Sequence, residues 1–158
     1  MFLRKMMKGQ SATELAFGLP VLVLLLVVVA DFARVFYMAM GVASAARAGV
    51  QYGAQSYVKA IDNTGMTTAA TNDGQNIRGL SVVPTHFCMC DGAQCSPAQA
   101  SACVVSCTAP PATCTEPKVF VQVTTSATFN TLIRYPGVPS TIPLNSVAVL
   151  QAQSGQGF

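Results

Sequence analysis

Lys8–Ala30, KGQSATELAFGLPVLVLLLVVVA, decides how this chain is read. It opens with a basic residue and a glycine, holds one acid at Glu14, and then runs without a charge from Leu15 to Ala30. Apolar character resumes beyond Asp31 through Phe32, Val35, Phe36 and Tyr37. As a helix, Leu15–Tyr37 is about 34 Å long, enough to cross a hydrocarbon core of ~30 Å. A secretory signal fits less well, because the run is long for one and no small-x-small cleavage site follows before Asp31. Pro20 removes one backbone donor and loosens the helix locally, which a membrane helix tolerates when neighbours cover the freed carbonyl. Asp31 and Arg34 are three apart and can pair near the outer surface, where Phe36 and Tyr37 suit an interfacial aromatic belt.

Upstream, Met1–Gly9 is short and basic, with Arg4, Lys5 and Lys8. Positive residues stay on the cytoplasmic side, so the chain after the apolar run faces outward. Glu14 has two readings. At the interface it caps a helix N-terminus, where negative charge is favoured. Deeper in lipid an unpaired carboxylate costs on the order of 3 kcal/mol and calls for a partner.

Downstream, Met38–Tyr57 lacks proline and is rich in alanine, so the helix is expected to continue outward until Asp62, Asn63 and Gly65 end it. Residues 11–62 as one helix would be about 78 Å long, far more than an anchor needs. Gly41, Ala45, Gly49 and Gly53 recur at i+4 and form a ridge of small residues that admits a close neighbour. That neighbour is either the chain's own outer domain or another subunit, and both fit.

Gly9-Gln10-Ser11-Ala12-Thr13-Glu14 behind a basic leader resembles the cleavage site of type IV prepilins. More narrowly, GQSATELAFGLPVLVLLLVVVADFARVFYMAMGVASAARAGVQYGA is similar to the TadE-like family of pseudopilins. The likeness is carried by the Gly-Gln start, Glu14, Pro20 early in the apolar helix, Ala45-Ala46-Arg47 and the aromatic Tyr52. The resemblance implies cleavage between Gly9 and Gln10 by a membrane-embedded prepilin peptidase, leaving Gln10 with the free amine. It also implies a partner for Glu14, the N-terminal amine of a neighbouring subunit, which relieves the cost of a bare carboxylate in lipid.

The rest of the chain is different in kind. Charged residues are only 9% and mean hydropathy is +0.46, but much of that apolarity belongs to the one run. Nine basic against six acidic residues leave a formal +3, and removing Arg4, Lys5 and Lys8 leaves six of each. A neutral body offers no basic footprint for nucleic acid. Met66–Ile77 reads as a short second helix. Leu80–Cys90 reads as a strand weakened by Pro84, Lys118–Leu132 as an alternating β-rich strand, and Leu144–Ala152 as a last strand. Asp91-Gly92 and Tyr135-Pro136-Gly137 are turn signals, Ser96–Pro117 is a small-residue loop, and SGQGF is a polar tail.

Six cysteines, Cys88, Cys90, Cys95, Cys103, Cys107 and Cys114, follow C-x-C-x4-C-x7-C-x3-C-x6-C. An even count outside the membrane points to an oxidising compartment and three disulfides, with 15 pairings open. No C-x-x-C is present, against a thioredoxin-like site and common zinc pairs. His86 with Cys88 and Cys90 is the competing metal reading. Phe87-Cys88-Met89-Cys90 is similar to a Phe-Cys-x-Cys turn of TadE-like proteins, which supports disulfides through the resemblance. One histidine and only Asp62, Asp73, Asp91 and Glu116 after Asp31 give no triad or acid–base pair, so no enzyme, cofactor or metal is expected.

The expected architecture is α+β and pilin-like. A leader at 1–9 is followed by a transmembrane helix at 10–37, a helical continuation at 38–62 and a cysteine-containing head at 63–158 with a short antiparallel sheet. The resemblance implies a minor pilin of a Tad-type (type IVb) pilus in the bacterial inner membrane, N-terminus cytoplasmic and head periplasmic, with entry into an extracellular pilus left open. Its partners are the membrane, the prepilin peptidase, other pilins or pseudopilins and the Tad assembly platform. The rivals are an unprocessed single-pass sensor or binding module and an exported metal or redox protein.

Overall fold

The apolar run and the alanine-rich stretch after it form one helix, α1 (Met7–Gly53), which passes through Pro20 without ending. In the computed structural model the described residues are 7–90, 93–94, 108–109, 112–113, 118–131 and 139–153. They fall into two units, Met1–Tyr37 and Met38–Phe158.

The first unit is the apolar part of α1. Its large side chains are exposed on every side of the helix, from Leu15 at 66% and Phe17 at 83% to Phe36 at 70%. Among the described residues α1 is the one helix long and apolar enough to cross a membrane. Arg34 and Asp31 pair at 3.2 Å, as their spacing predicts.

The second unit is α+β. The helix ends at Gly53, nine residues before the end expected from composition. Two short helices follow, α2 (Tyr57–Ala60) and α3 (Asn63–Asp73). Ser56 caps α2, its side chain accepting from the Lys59 N–H, and Asp62 caps α3 by accepting from the Gly65 N–H. The expected single helix over 38–62 is therefore corrected. Asp62, read as a stop signal, starts a helix, because the carboxylate that favours turns equally satisfies the orphan N–H groups of a first helical turn.

The strands are β1 (Ser81–Cys90), β2 (Ala93–Gln94), β3 (Thr108–Ala109), β4 (Ala112–Thr113), β5 (Lys118–Asn130) and β6 (Thr141–Gln151). A four-stranded antiparallel sheet runs β2-β1-β5-β6, and β3 pairs with β4 within the stretch read as loop. The three long strands lie where alternation and β-branched content place them. The Asp91-Gly92 and Tyr135-Pro136-Gly137 turns and the SGQGF tail lie outside the described residues.

Alternation on β5 sets the core. Val121, Val123, Thr125, Ala127 and Phe129 are buried on one face of the strand. Val50 of α1, Ala60, Met66, Val121, Val123 and Ala152 form the central apolar cluster. Thr125 is fully buried, and its hydroxyl donates to the Val42 carbonyl at 2.8 Å, tying the sheet to α1 where a bare hydroxyl would be costly. The end of β6 is tied by the Ala152 N–H to Val119 O and the Gln153 N–H to Ala54 O, both at 2.8 Å. On the other face Phe87 stacks on its register partner Phe120 with ring centroids 5.7 Å apart.

Candidate functional site

Two regions carry the residues singled out in the sequence, and each is described by itself. The first is the start of α1. Gly9 and Gln10 lie in its first turns, so the bond between them is in helical backbone. Glu14 lies one turn further on and is exposed. The large apolar side chains that follow, from Leu15 onward, are exposed too, so this part of the helix is unsuited to water. Among the described residues the ion pair of this unit is Asp31 with Arg34, well beyond Glu14 along the helix.

The second region is the small-residue ridge. Ala45 is fully buried and Gly41 half-buried, while Gly49 and Gly53 are buried. All four face elements of the same chain. A Cβ on Gly41 would lie 2.9 Å from Ile77 Cδ1, and one on Gly49 would lie 3.1 Å from the Met66 carbonyl oxygen and Val123 Cγ1. On Gly53 it would meet Met66 Sδ at 2.6 Å and Val121 Cγ1 at 2.8 Å. Of the two neighbours the ridge could admit, the chain's own α3, Ile77 beyond it and β5 fill it in this structure. The small residues are there because the sheet and α3 approach the helix backbone more closely than a side chain allows.

Beside the ridge sits a polar clasp that the sequence pattern did not reveal. The Tyr52 hydroxyl donates to Asp62 Oδ2 at 2.9 Å, and the Gly65 N–H donates to Asp62 Oδ1 at 2.9 Å. The Gly65 N–H, then the Tyr52 hydroxyl, hold the Asp62 carboxyl below its ordinary range. The hydrogen bond to Asp62 pushes the Tyr52 phenol above its own. Lys59 lies over the Tyr52 ring, 4.9 Å from its centroid, and also donates to Gln55 Oε1. The signal was available: an aromatic near the end of α1 with an aspartate ten residues on, separated by capping residues.

Of the cysteines, Cys88 is buried on β1. Cys90 ends the same strand, and Cys95, Cys103, Cys107 and Cys114 lie outside the described residues. His86 is on β1 opposite Val121. Among the described residues no three His, Cys, Asp or Glu side chains come together as a metal site would require.

No curated protein and no solved structure matches the chain. A family model does. The model described as TadE-like protein matches residues 9–51, the stretch that holds Gly9, Gln10, Glu14 and the whole apolar run, and over that segment the chain is similar to this family.

Proposed function

We propose that this chain is a minor-pilin-like component of a Tad-type pilus, made as a prepilin and cut between Gly9 and Gln10. The observation that carries the reading is the TadE-like match over 9–51, in register with a helix whose large apolar side chains from Leu15 to Tyr37 are mostly exposed. Such a surface needs lipid or other helices around it.

On this reading residues 10–37 hold the chain in the inner membrane, with the leader cytoplasmic and the head periplasmic. The prepilin peptidase removes 1–9. Glu14 then docks against the free amine of a neighbouring subunit, because an attractive partner lowers the cost of a carboxylate at that depth. Other pilins or pseudopilins and the assembly platform are the remaining partners, and the chain acts in pilus assembly, initiation or tip regulation without catalysing a reaction. The head's six cysteines form three disulfides there, each contributing ~2–4 kcal/mol to a domain with a small apolar core.

The rival is an unprocessed single-pass binding module. N-terminal sequencing of the membrane-extracted protein separates the two. A mature chain beginning at Gln10 is expected, and an intact Met1 in all of the protein overturns the pilin reading.

A further inference from the structure

We propose that the cysteine-rich stretch is closed by two cross-strand disulfides, Cys88 with Cys95 and Cys107 with Cys114, which leave Cys90 and Cys103 as the third pair. The pairing rests on the reading above that the head is exported and its cysteines oxidised. It deepens that reading by choosing one of the fifteen pairings open to six cysteines.

Two short hairpins carry the choice. In the first, β1 pairs with β2 through Cys90 opposite Ala93 and Met89 opposite Gln94. An antiparallel register advances one residue back on one strand for each residue forward on the other. The next pair is therefore Cys88 with Cys95, the residue that directly follows Gln94. In the second hairpin, β3 pairs with β4 through Ala109 opposite Ala112 and Thr108 opposite Thr113. The next pair there is Cys107 with Cys114. Two residues join the strands in each case, Asp91-Gly92 and Pro110-Pro111, and in each case the cysteines make the third pair outward. The repeated C-x6-C spacing is the mark this leaves in the sequence.

Residues directly opposite each other have Cα atoms about 4.5 or 5.5 Å apart, depending on the phase of the ladder, and a disulfide accepts about 4.4–6.8 Å. Either phase meets the requirement. Cys90 does not compete for Cys88. Two residues along one strand separate the Cα atoms by about 6.7 Å with parallel Cβ directions, whereas a disulfide brings the Cβ atoms to about 3.8 Å. Ala93 stands opposite Cys90, so Cys90 draws its partner from outside its own hairpin. Cys103 is the cysteine left once both hairpins are closed.

The ladders also supply a reason for the bridges. β2, β3 and β4 are each two residues long, and a lone hairpin is marginal in water even when longer. A covalent bridge one residue beyond each ladder restrains the open chain where so few hydrogen bonds do not. The same pairing takes Cys88 and Cys90 away from His86, and an oxidised pair offers no thiolate to a metal.

Each bridge forms one S–S bond and breaks two S–H bonds. The oxidant is of the thiol–disulfide class. One thiolate of the chain attacks the oxidant's disulfide, and the second attacks the mixed disulfide and releases the oxidant as a dithiol carrying the two electrons and two protons.

The test maps the bridges in the full-length chain, extracted from the membranes of the cells that make it. Free thiols are blocked with N-ethylmaleimide in denaturant, because Cys88 is 1% exposed and would react slowly in the fold. Without reduction the chain is cut after Met89 with cyanogen bromide, before Asp91 with an Asp-specific protease, and between Cys103 and Cys107 with thermolysin. Mass spectrometry then identifies the linked fragments. The expected map joins Cys88 to Cys95, Cys107 to Cys114 and Cys90 to Cys103, with no maleimide on any of them. Cys95→Ser should gain one maleimide, on Cys88, and Cys114→Ser should gain one, on Cys107. Should a variant be lost to proteolysis, the map of the unsubstituted chain decides alone. Cys88 joined to any cysteine but Cys95, or Cys107 to any but Cys114, overturns the proposal. Maleimide on all six overturns it together with the oxidised head. N-terminal sequencing of the same sample keeps the two readings apart. An intact Met1 with the expected map removes the pilin reading alone, and a Gln10 start with a different map removes this one alone.

Discussion

The two halves of α1 are both apolar, yet they are built for different neighbours. From Leu15 to Phe36 the side chains are mostly large, distributed all round, and exposed: Leu19 at 52%, Leu24 at 63%, Phe32 at 71%. From Gly41 to Gly53 the residues on one side are small, and that side is buried, with Val42, Ala45, Ala46 and Val50 at 1% or less. The opposite side carries Ser44, Arg47 and Gln51, all exposed. The lesson concerns size and distribution more than hydrophobicity. Large residues on all sides suit a surrounding of lipid, whereas small residues on one side invite a specific protein surface to approach.

The largest test of that contrast removes a buried side chain on the head side. Met66 is fully buried in the head's core, and it lies against both Gly49 and Gly53. Met66→Ala should cost about 2–5 kcal/mol, the transfer of its side chain plus the cavity it leaves. Leu22→Ala, 58% exposed in the apolar half, should leave head stability within about 0.5 kcal/mol. Pulse proteolysis of the full chain in detergent measures both. Equal effects would mean the two halves do not differ in the way described.

A finer test uses glycine alone. A Cβ on Gly53 meets Met66 Sδ at 2.6 Å and Val121 Cγ1 at 2.8 Å, whereas one on Gly18 meets nothing within 4 Å. Gly53→Ala should destabilise the head by about 1–3 kcal/mol, reduced by the roughly 1 kcal/mol that alanine contributes to a helix. Gly18→Ala receives that helix term without the clash, so it should be neutral or slightly stabilising. The same proteolysis assay reads the sign, and a stabilised Gly53→Ala would show that Met66 and Val121 yield easily and that the close approach is not needed.

Much of this arrangement was legible in the residues. Leu15–Tyr37 could only be a long apolar helix, and the alternation of Lys118–Asn130 could only be a half-buried strand. The four small residues could be found by spacing, but not assigned a neighbour, because i+4 periodicity says which residues share a face and not what covers it. The end of α1 was misplaced for a physical reason. Ala54-Gln55-Ser56 contains no helix breaker, and the chain turns there because Ser56 and Asp62 cap new helices and the Ala54 carbonyl is taken by Gln153, about a hundred residues away in sequence. Such a long-range bond leaves no local mark.

The smallest effect lies where α1 gives way to the short helices, in the Tyr52–Asp62 clasp. Both groups are exposed enough that solvent screens them, so only the direction of each shift is carried forward. Asp62 has a folded-state pKa below its unfolded value near ~3.9, so the unfolded chain binds more protons at acid pH. Its contribution is fully present above that unfolded value and is lost as pH falls through the lower folded one. Tyr52 has a folded-state pKa above its unfolded value near ~10, so its contribution is fully present below that value and is lost as pH rises through the higher folded one. The clasp is therefore intact across the whole neutral range and weakens at both extremes. Tyr52→Phe removes the alkaline limb entirely. It removes only part of the acid limb, because the Gly65 N–H still donates to Asp62 and is the larger cause of its shift. Carbon-detected NMR titration of the Asp62 carboxyl and Tyr52 phenol in the full chain should find the first below and the second above their ordinary ranges. In Tyr52→Phe the Asp62 midpoint should move upward without reaching the ordinary carboxylate value. An Asp62 midpoint unchanged by the substitution would mean that the hydroxyl contributes nothing, and that the turn after α1 is held by the Gly65 cap alone.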